Sequence, residues 1–212
     1  MLERIIHDTY PARNAIIWLH GLGADAHDFE PLLPHFGFIE TRVVFPNAPE
    51  RAVTLNGGMR MRAWYDFASL DFSGGENTED ILASIRAIDA LVDEQVASGV
   101  DRGRILLAGF SQGGVIALAT ALSGTQPLAG VVALSTYLPH AFRDEPRHPR
   151  LPILQCHGRQ DAVIPFAVGF ATGRYLSDAG YAHRWLDYDM GHQVCGAELE
   201  AIRAWLEQHR FT

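Results

Sequence analysis

The sequence predicts an α/β fold in which a mostly parallel central sheet is covered by helices on both faces. Short apolar or β-branched runs alternate with segments of helical period, and several of the runs are apolar throughout, as strands buried on both faces require. The chain has 212 residues, of which 48% are hydrophobic and 20% are charged. This composition excludes a disordered chain and a coiled coil, and it indicates one globular domain spanning residues 1–212.

Strands and helices are predicted in alternation along most of the chain. The strands cover residues 15–19, 42–45, 104–110, 130–134, 152–156 and 183–188. The helices cover residues 78–96, 112–123, 166–179 and 196–208. The first helix is the clearest, because its apolar residues form one stripe. Asn77 caps it, and Glu79 and Asp80 make its first turn acidic.

The charge of the chain excludes several classes of partner. Its formal net charge is −8 and it contains no basic run, so neither nucleic acid nor stable insertion into a membrane is expected. Charged residues interrupt the first ten positions, which excludes the apolar core of a signal peptide, and no window reaches the roughly 18 apolar residues of a membrane span. We therefore expect a cytoplasmic protein in which Cys156 and Cys195 are reduced thiols.

The strongest motif is Gly-Phe-Ser-Gln-Gly-Gly at residues 109–114. It stands between a predicted strand and a predicted helix, which is the context of a nucleophile elbow, a strained turn that exposes a serine oxygen. Glycines two residues before and after the serine remove side chains that would collide there. The same pattern also occurs by chance in ordinary tight turns, but its context favours Ser111 as a catalytic nucleophile.

A serine hydroxyl needs a general base and an acid that orients this base, and in this architecture the acid precedes the histidine along the chain. His192 lies in the loop after the last predicted strand, so we predict that it is the base. Asp161 follows the strand at 152–156 and is predicted to be the acid, with a role as a helix cap as the alternative. The other candidate acids are interpreted as surface carboxylates: Asp178, Asp187 and Asp189.

The remaining histidines are interpreted as non-catalytic. His20 and His157 each precede a glycine at a strand end, where a structural hydrogen bond is favoured. A solvated position is predicted for His7, His35, His140, His148, His183 and His209.

Two backbone N–H groups are needed to stabilise the oxyanion of an acyl-transfer reaction. Gln112, the residue after the nucleophile, supplies one of them. Leu22 supplies the other, because the glycines on either side of it allow the turn that presents its amide after the strand at 15–19.

The same loop allows a second interpretation. Residues 21–26 match G-x-G-x-x-A, the fingerprint of a dinucleotide site, and Glu40 lies at about the distance that this motif requires. We disfavour this interpretation because Asp25 and Asp28 would repel a pyrophosphate. Glu40 also precedes a predicted strand, whereas the motif needs an acid at a strand end.

The segment 46–76 has no sustained period, although it carries many apolar side chains. Long irregular segments inside compact domains are typical of binding loops. Four apolar residues in it are candidates for an acyl groove, with ordinary core packing as the alternative: Leu55, Met59, Leu70 and Phe72.

As a set, the motifs resemble the phospholipase/carboxylesterase family of α/β-hydrolases, which includes acyl-protein thioesterases and bacterial type 2 carboxylesterases. The resemblance covers nearly the whole chain through His20-Gly21-Leu22-Gly23, Pro46-Asn47-Ala48-Pro49, Trp64-Tyr65-Asp66, GFSQGG, Leu138-Pro139, HGRQDAVIP and MGHQV. It implies an α/β-hydrolase fold, with a triad of Ser111, Asp161 and His192 and an oxyanion hole made by the Leu22 and Gln112 amides.

The chain departs from the family at Thr136, where a glycine is usual. Because of this substitution, the resemblance does not predict the shape of the pocket floor. Leu138, in the neighbouring Leu138-Pro139 motif, is a further candidate for substrate binding.

We therefore expect a serine carboxylesterase that hydrolyses short-to-medium acyl esters or thioesters through an acyl-enzyme, without a metal or an organic cofactor. The expected partner is a small ester or thioester substrate, and the family's frequent dimerisation allows a homodimer. A lysophospholipase or an acyl-protein thioesterase is the alternative among enzymes. A non-catalytic binding protein on a hydrolase fold is less favoured, because no triad member is missing.

Overall fold

A computed structural model describes residues 2–72, 74–143 and 147–212. The strands are β1 (Arg4–Asp8), β2 (Asn14–Leu19), β3 (Thr41–Pro46), β4 (Glu50–Val53), β5 (Met59–Arg62), β6 (Ile105–Phe110), β7 (Gly130–Leu134), β8 (Pro152–Gly158) and β9 (Ala182–Tyr188). The α-helices are α1 (Leu33–Phe36), α2 (Thr78–Ala97), α3 (Gln112–Ser123), α4 (Phe166–Asp178) and α5 (Gly196–Gln208).

Seven of the strands form one sheet in the order β1-β3-β2-β6-β7-β8-β9. Every neighbouring pair is parallel except β1 and β3, which are antiparallel at one edge. The sheet is therefore mostly parallel, as predicted, and the carboxyl ends of its parallel strands meet along one edge. Strands β4 and β5 form a separate antiparallel hairpin.

The predicted helices and strands all occur, with ends that agree to within two residues. The sequence analysis missed β1, because only one side of this edge strand is paired and its residues do not form a continuous apolar run. It also missed the hairpin of β4 and β5, which lies inside the segment 46–76. This hairpin is rich in charged and exposed residues, so no hydrophobic period marks it.

Helices cover both faces of the sheet, as predicted. Successive residues of β6 point to opposite faces: Leu107 packs in the layer with α2 and α3, and Leu106 packs in the layer with α1 and α5. Both leucines are fully buried. This double burial explains why the central strands are apolar throughout instead of alternating.

No helix in the described part of the chain combines the length and the apolar character needed to cross a membrane. Across the same residues, no three histidine, cysteine, aspartate or glutamate side chains come together in a way that could hold a metal ion. Cys156 and Cys195 are both free thiols, as predicted.

Candidate active site

Ser111 lies in the turn between β6 and α3. Its backbone has φ 54° and ψ −121°, a conformation that residues other than glycine rarely adopt and that costs about 1–3 kcal/mol. Its N–H still donates to the Leu134 carbonyl at 2.9 Å, so the turn stays attached to β7. The chain therefore forms a strained turn at the position where the sequence predicts one.

Two glycines make this turn possible, because the backbone segments approach more closely than side chains permit. A Cβ atom at Gly109 would lie 2.4 Å from the Gly113 carbonyl oxygen. A Cβ atom at Gly113 would lie 2.5 Å from the carbonyl oxygens of both Leu19 and His20. The glycines that flank the serine are thus required by the contact between β6, α3 and the end of β2.

Three side chains from separate loops form one hydrogen-bonded chain. His192 Nε2 lies 2.9 Å from Ser111 Oγ, and His192 Nδ1 lies 2.7 Å from Asp161 Oδ2. When Nδ1 donates its proton to the carboxylate, Nε2 is free to accept the serine proton. The structure brings the predicted nucleophile, base and acid together in the geometry that general-base catalysis requires.

The carboxylate of Asp161 accepts hydrogen bonds at both of its oxygens. Oδ1 accepts from the amides of Val163 at 2.9 Å and Ile164 at 2.8 Å, while Oδ2 faces His192. Burial by itself raises the pKa of Asp161, but the hydrogen bonds from His192 and from the two amides outweigh it and leave this pKa below its ordinary value. The acid therefore stays ionised and keeps the imidazole in one tautomer.

Leu22 and Gln112 both line the cavity beside Ser111. Gln112 is the first residue of α3, and N–H groups in the first turn of a helix have no acceptor within that helix. The loop that carries Leu22 is fixed by the Gly23 N–H, which donates to the Arg62 carbonyl at 2.9 Å. Both predicted oxyanion-hole residues thus lie at the same cavity as the serine.

His20 is hydrogen-bonded through both ring nitrogens to backbone groups of the neighbouring loops. Its Nδ1 lies 2.7 Å from the Gly21 carbonyl oxygen, and its Nε2 accepts from the Ala48 N–H at 3.0 Å. These contacts suit a neutral ring with its proton on Nδ1, and burial lowers the pKa of His20. The position agrees with the structural role that the sequence predicts.

The side chain of Gln112 connects the segment 46–76 to the elbow. Its Oε1 accepts from the Trp64 N–H at 2.7 Å, and its Nε2 donates to the Tyr65 carbonyl at 2.7 Å. The indole N–H of Trp64 donates to the His20 carbonyl at 2.9 Å. The elbow, the loop that carries Leu22 and the segment 46–76 are therefore held to one another by buried hydrogen bonds.

A cavity of about 380 Å³ opens beside Ser111 and His192. Most of its walls are apolar, with side chains from Leu22, Ala24, Phe67, Leu70, Phe72, Phe110, Val163 and Ile164. The remaining lining residues are Gly21, Asp28, Tyr65, Gln112 and Tyr137. Such a cavity accepts an apolar chain and presents few polar groups to it.

The two tyrosines form a polar contact at the inner wall of the cavity. The hydroxyl of Tyr137 donates to Glu76 at 2.6 Å and lies 3.4 Å from the hydroxyl of Tyr65. Burial raises the pKa of both phenols, so both remain neutral. The ring of Phe72 packs edge-on against Tyr137 at 4.9 Å.

Comparison with known proteins identifies the family. The model of the family described as Phospholipase/Carboxylesterase matches residues 1–210. The chain belongs to this family.

Relatives in the family are similar over most of the chain. The carboxylesterase SOBER1 of Arabidopsis thaliana is 32% identical over 209 residues, which cover 93% of this chain and 91% of that protein. Acyl-protein thioesterase 1 of Neurospora crassa is also 32% identical over 209 residues, which cover 91% of this chain and 85% of that protein.

Solved structures of the family share the fold. The crystal structure of Arabidopsis thaliana SOBER1 matches with a TM-score of 0.86 and 31% identity, covering 94% of this chain and all (100%) of that chain. The crystal structure of Zea mays acyl-protein thioesterase 2 matches with a TM-score of 0.85 and 26% identity, covering 99% of each chain. These matches confirm the α/β-hydrolase fold.

The dinucleotide interpretation of residues 21–26 is wrong for this family member. That fingerprint requires a helix that begins at the glycines. Residues 21–29 form turns and bends instead, and the next helical turn is the 3-10 helix Glu30–Leu32. A pyrophosphate would therefore find no helix N-terminus here.

Three of the five candidate substrate-binding residues lie outside the cavity. Leu55 belongs to the 3-10 helix Thr54–Asn56 and is 37% exposed, away from the cavity lining. Leu138 is fully buried and its N–H donates to Thr172 Oγ1 at 2.9 Å, so it belongs to the core. Met59 is also outside. Leu70 and Phe72 do line the cavity.

Other lining residues were missed by the sequence analysis. Phe110, Val163 and Ile164 are sequence neighbours of the predicted triad, so adjacency to the triad is a signal that could have found them. Tyr65 lies inside a family motif. Tyr137, by contrast, is brought to the cavity only by the turn after β7.

Thr136 does not form the cavity floor. It is fully buried and absent from the lining. Its Oγ1 donates to the Ser111 carbonyl at 2.7 Å, and a Cβ atom at Gly114 would lie 2.7 Å from its Cβ and Cγ2 atoms. The departure from the family pattern therefore lies beneath the elbow.

Four of the six histidines predicted to be solvated are partly buried: His7, His148, His183 and His209. His183 Nε2 lies 3.1 Å from Gln155 Oε1, and its Nδ1 lies 3.0 Å from Ser177 Oγ. Burial lowers the pKa of His183 to about 4. The burial of His183 was not predicted, because the polar residues around it on β9 are typical of a surface strand.

Proposed function

We propose that the chain is a serine carboxylesterase that hydrolyses short-to-medium acyl esters or thioesters through an acyl-enzyme. The observation that carries the proposal is the hydrogen-bonded chain from Ser111 through His192 to Asp161. Family membership supports hydrolase chemistry. The apolar cavity beside the serine supports an acyl substrate.

In the first step, His192 Nε2 accepts the Ser111 proton while Oγ attacks the substrate carbonyl carbon. The carbonyl oxygen becomes an oxyanion, which the amides of Leu22 and Gln112 stabilise. The resulting imidazolium donates its proton to the leaving alcohol or thiol, and an acyl-serine ester remains.

In the second step, a water molecule replaces the leaving group. His192 accepts a proton from this water, whose oxygen attacks the acyl-serine carbonyl. The same two amides stabilise the second oxyanion. Its collapse returns the proton to Ser111 and releases the carboxylic acid.

The size and lining of the cavity support an acyl chain of limited length. Each methylene that leaves water for an apolar wall contributes about 0.8 kcal/mol. Specificity should therefore rise with chain length until the cavity of about 380 Å³ is filled. A short-to-medium optimum follows, and triglycerides should be poor substrates.

The alternative enzyme activities differ in the leaving group of the substrate. An acyl-protein thioesterase and a lysophospholipase use the same chemistry, and the similarity to acyl-protein thioesterase 1 of Neurospora crassa supports the former. A non-catalytic binding protein is disfavoured, because such a protein has no need of three connected side chains beside a strained serine.

The test is covalent labelling with a fluorophosphonate, followed by hydrolysis assays over matched p-nitrophenyl esters, palmitoyl-peptide thioesters and lysophosphatidylcholine. Wild-type protein should be labelled at one residue, and Ser111→Ala should lose both labelling and nearly all turnover. Ser177→Ala, at an exposed serine of α4, is the control. Labelling of Cys156 or Cys195 with turnover retained in Ser111→Ala would contradict the proposal.

The proposal also covers the domain organisation, the location and the oligomeric state of the chain. The chain from residue 1 to 212 acts as one catalytic domain, it works in the cytoplasm, and a homodimer is allowed. Sedimentation at several protein concentrations measures the last of these, and fractionation of cells tests the second.

A further inference from the structure

We infer that Thr136 is a positioning residue for the oxyanion hole, an inference that rests on the proposed function. Its buried hydroxyl holds the peptide unit between Ser111 and Gln112, so that the Gln112 N–H is aimed at the reacting carbonyl oxygen. Thr136 does not line the cavity, so its effect on the reaction is transmitted through this peptide unit.

The peptide bond between Ser111 and Gln112 is planar. The Ser111 carbonyl and the Gln112 N–H belong to one peptide group, and they point in opposite directions because the group is planar and trans. A donor that fixes the carbonyl therefore fixes the direction of the N–H. Thr136 Oγ1 supplies such a donor at 2.7 Å.

The turn that carries this peptide bond is strained. Ser111 has φ 54°, and such a conformation persists only where surrounding contacts hold it. The Ser111 carbonyl also accepts from the amides of Gly114 at 3.0 Å and Val115 at 3.2 Å, both within its own helix. Thr136 is the donor that comes from a different strand end, so it ties the peptide unit to the sheet.

Thr136 reaches this position through a second turn with a positive φ. Ser135 also has a positive φ, of 44°, and its N–H donates to the Cys156 carbonyl at 2.8 Å. The chain thus leaves β7 through a second left-handed serine, one strand away from Ser111. This turn directs the Thr136 side chain beneath the elbow, where it is fully buried against Gly114.

A hydrogen bond to the carbonyl also strengthens the donor on the same peptide group, because hydrogen bonds in series polarise one another in a region of low dielectric. The hydrogen bond from Thr136 should therefore stabilise the transition state, which carries the oxyanion, more than it stabilises the bound substrate. Loss of the hydroxyl should lower kcat and leave KM almost unchanged.

The experiment compares Thr136→Val, which keeps the shape and removes the donor, with Thr136→Ser, which keeps the donor. With p-nitrophenyl butyrate, Thr136→Val should lose about tenfold in kcat, less than the loss of a whole oxyanion-hole donor. Its inhibition constant for an alkyl trifluoromethyl ketone, whose adduct carries an oxyanion, should rise by about the same factor. Thr136→Ser should remain within about threefold of wild type in both.

The melting temperature of each variant separates positioning from stability. A lower melting temperature with kcat and ketone affinity unchanged in Thr136→Val would overturn the inference, as would equal losses in Thr136→Val and Thr136→Ser. If Thr136→Val does not fold, the comparison of Thr136→Ala with Thr136→Ser decides by the same criteria. Wild-type protein without esterase activity would instead overturn the proposed function, so the two failures are distinguishable.

Discussion

The elbow and the segment 46–76 border the same cavity, but they are held in different ways. At the elbow, backbone segments approach within distances that exclude any side chain at Gly109 or Gly113. In the segment 46–76, Leu70 is 43% exposed although it lines the cavity. Three glycines of this segment have a positive φ and nothing within 4 Å of their Cβ positions: Gly57, Gly58 and Gly74.

This difference separates the residues proposed for the chemistry from those proposed for specificity. Atoms that transfer protons must be positioned to a fraction of an ångström, and closely packed strand ends provide that rigidity. An acyl chain requires only an apolar surface of suitable length, which tolerates substitution. Variants in the two regions should therefore change different kinetic quantities.

Among variants that keep Ser111, the largest effect is expected at the acid. Asp161→Asn should reduce kcat by up to about 10⁴, as in serine proteases, because the amide no longer selects the histidine tautomer that accepts the serine proton. Kinetics with p-nitrophenyl butyrate and a melting curve check this. The control Asp178→Asn, at the end of α4, should keep full activity, and an Asp161→Asn variant within threefold of wild type would mean that another acid orients His192.

A smaller but still large effect is expected at the elbow. Gly113→Ala places a Cβ atom 2.5 Å from two backbone carbonyl oxygens, so β2 and α3 must move apart and the nucleophile must shift. We expect a loss of activity of at least about 10²-fold together with a lower melting temperature. Gly196→Ala is the matched control, since nothing lies within 4 Å of its Cβ position; equal behaviour of the two variants would refute the packing argument.

In the segment 46–76, the effect on activity should be moderate and should depend on the substrate. Leu70→Ala should lower kcat/KM for octanoate esters by about fivefold and for acetate esters by less than twofold, since only the longer chain loses apolar contact. Leu55→Ala is a matched control because Leu55 is a similarly exposed leucine outside the cavity. Equal losses for acetate and octanoate would show that the loop is a structural flap.

The smallest effect concerns the scaffold behind His192. Glu198, in the first turn of α5, is fully buried, and burial raises its pKa to about 7. The folded protein therefore retains this proton up to about pH 7, whereas the unfolded chain releases it near the ordinary glutamate value, so stability falls as the pH rises between these two values.

Glu198→Gln removes this dependence. The variant should be more stable than wild type at pH 8 by about 1–3 kcal/mol, and the difference should shrink towards pH 5. Urea denaturation at both pH values measures it. A difference that does not vary with pH would mean that Glu198 does not titrate between folded and unfolded states.

The sequence allowed prediction of the fold and of the meeting of Ser111, Asp161 and His192, because both depend on local patterns. The runs of β6 and β7 are apolar on both faces, and the glycines around Ser111 mark a close backbone approach. The order of Ser111, Asp161 and His192 follows from the order of the strand ends. Such features are readable without knowledge of distant contacts.

The cavity was harder to predict, because its lining depends on how separate loops meet. Leu55 and Leu70 look alike in the sequence, and only the hairpin of β4 and β5 and the turns after it determine which one faces the serine. The contact from Thr136 to the elbow was likewise hidden, since it depends on the left-handed conformation of Ser135 at a neighbouring strand end.

The pairing of Phe67 with Glu76 has a practical consequence for protein engineering. These two residues form an isolated antiparallel bridge, and the Asn77 N–H donates to the Asp66 carbonyl at 2.8 Å just outside it. The intervening stretch 68–75 therefore begins and ends at one anchored point. We expect that this stretch can be replaced by segments of other lengths and sequences, which can be screened for altered acyl preference. Ser111, Asp161 and His192 lie outside it.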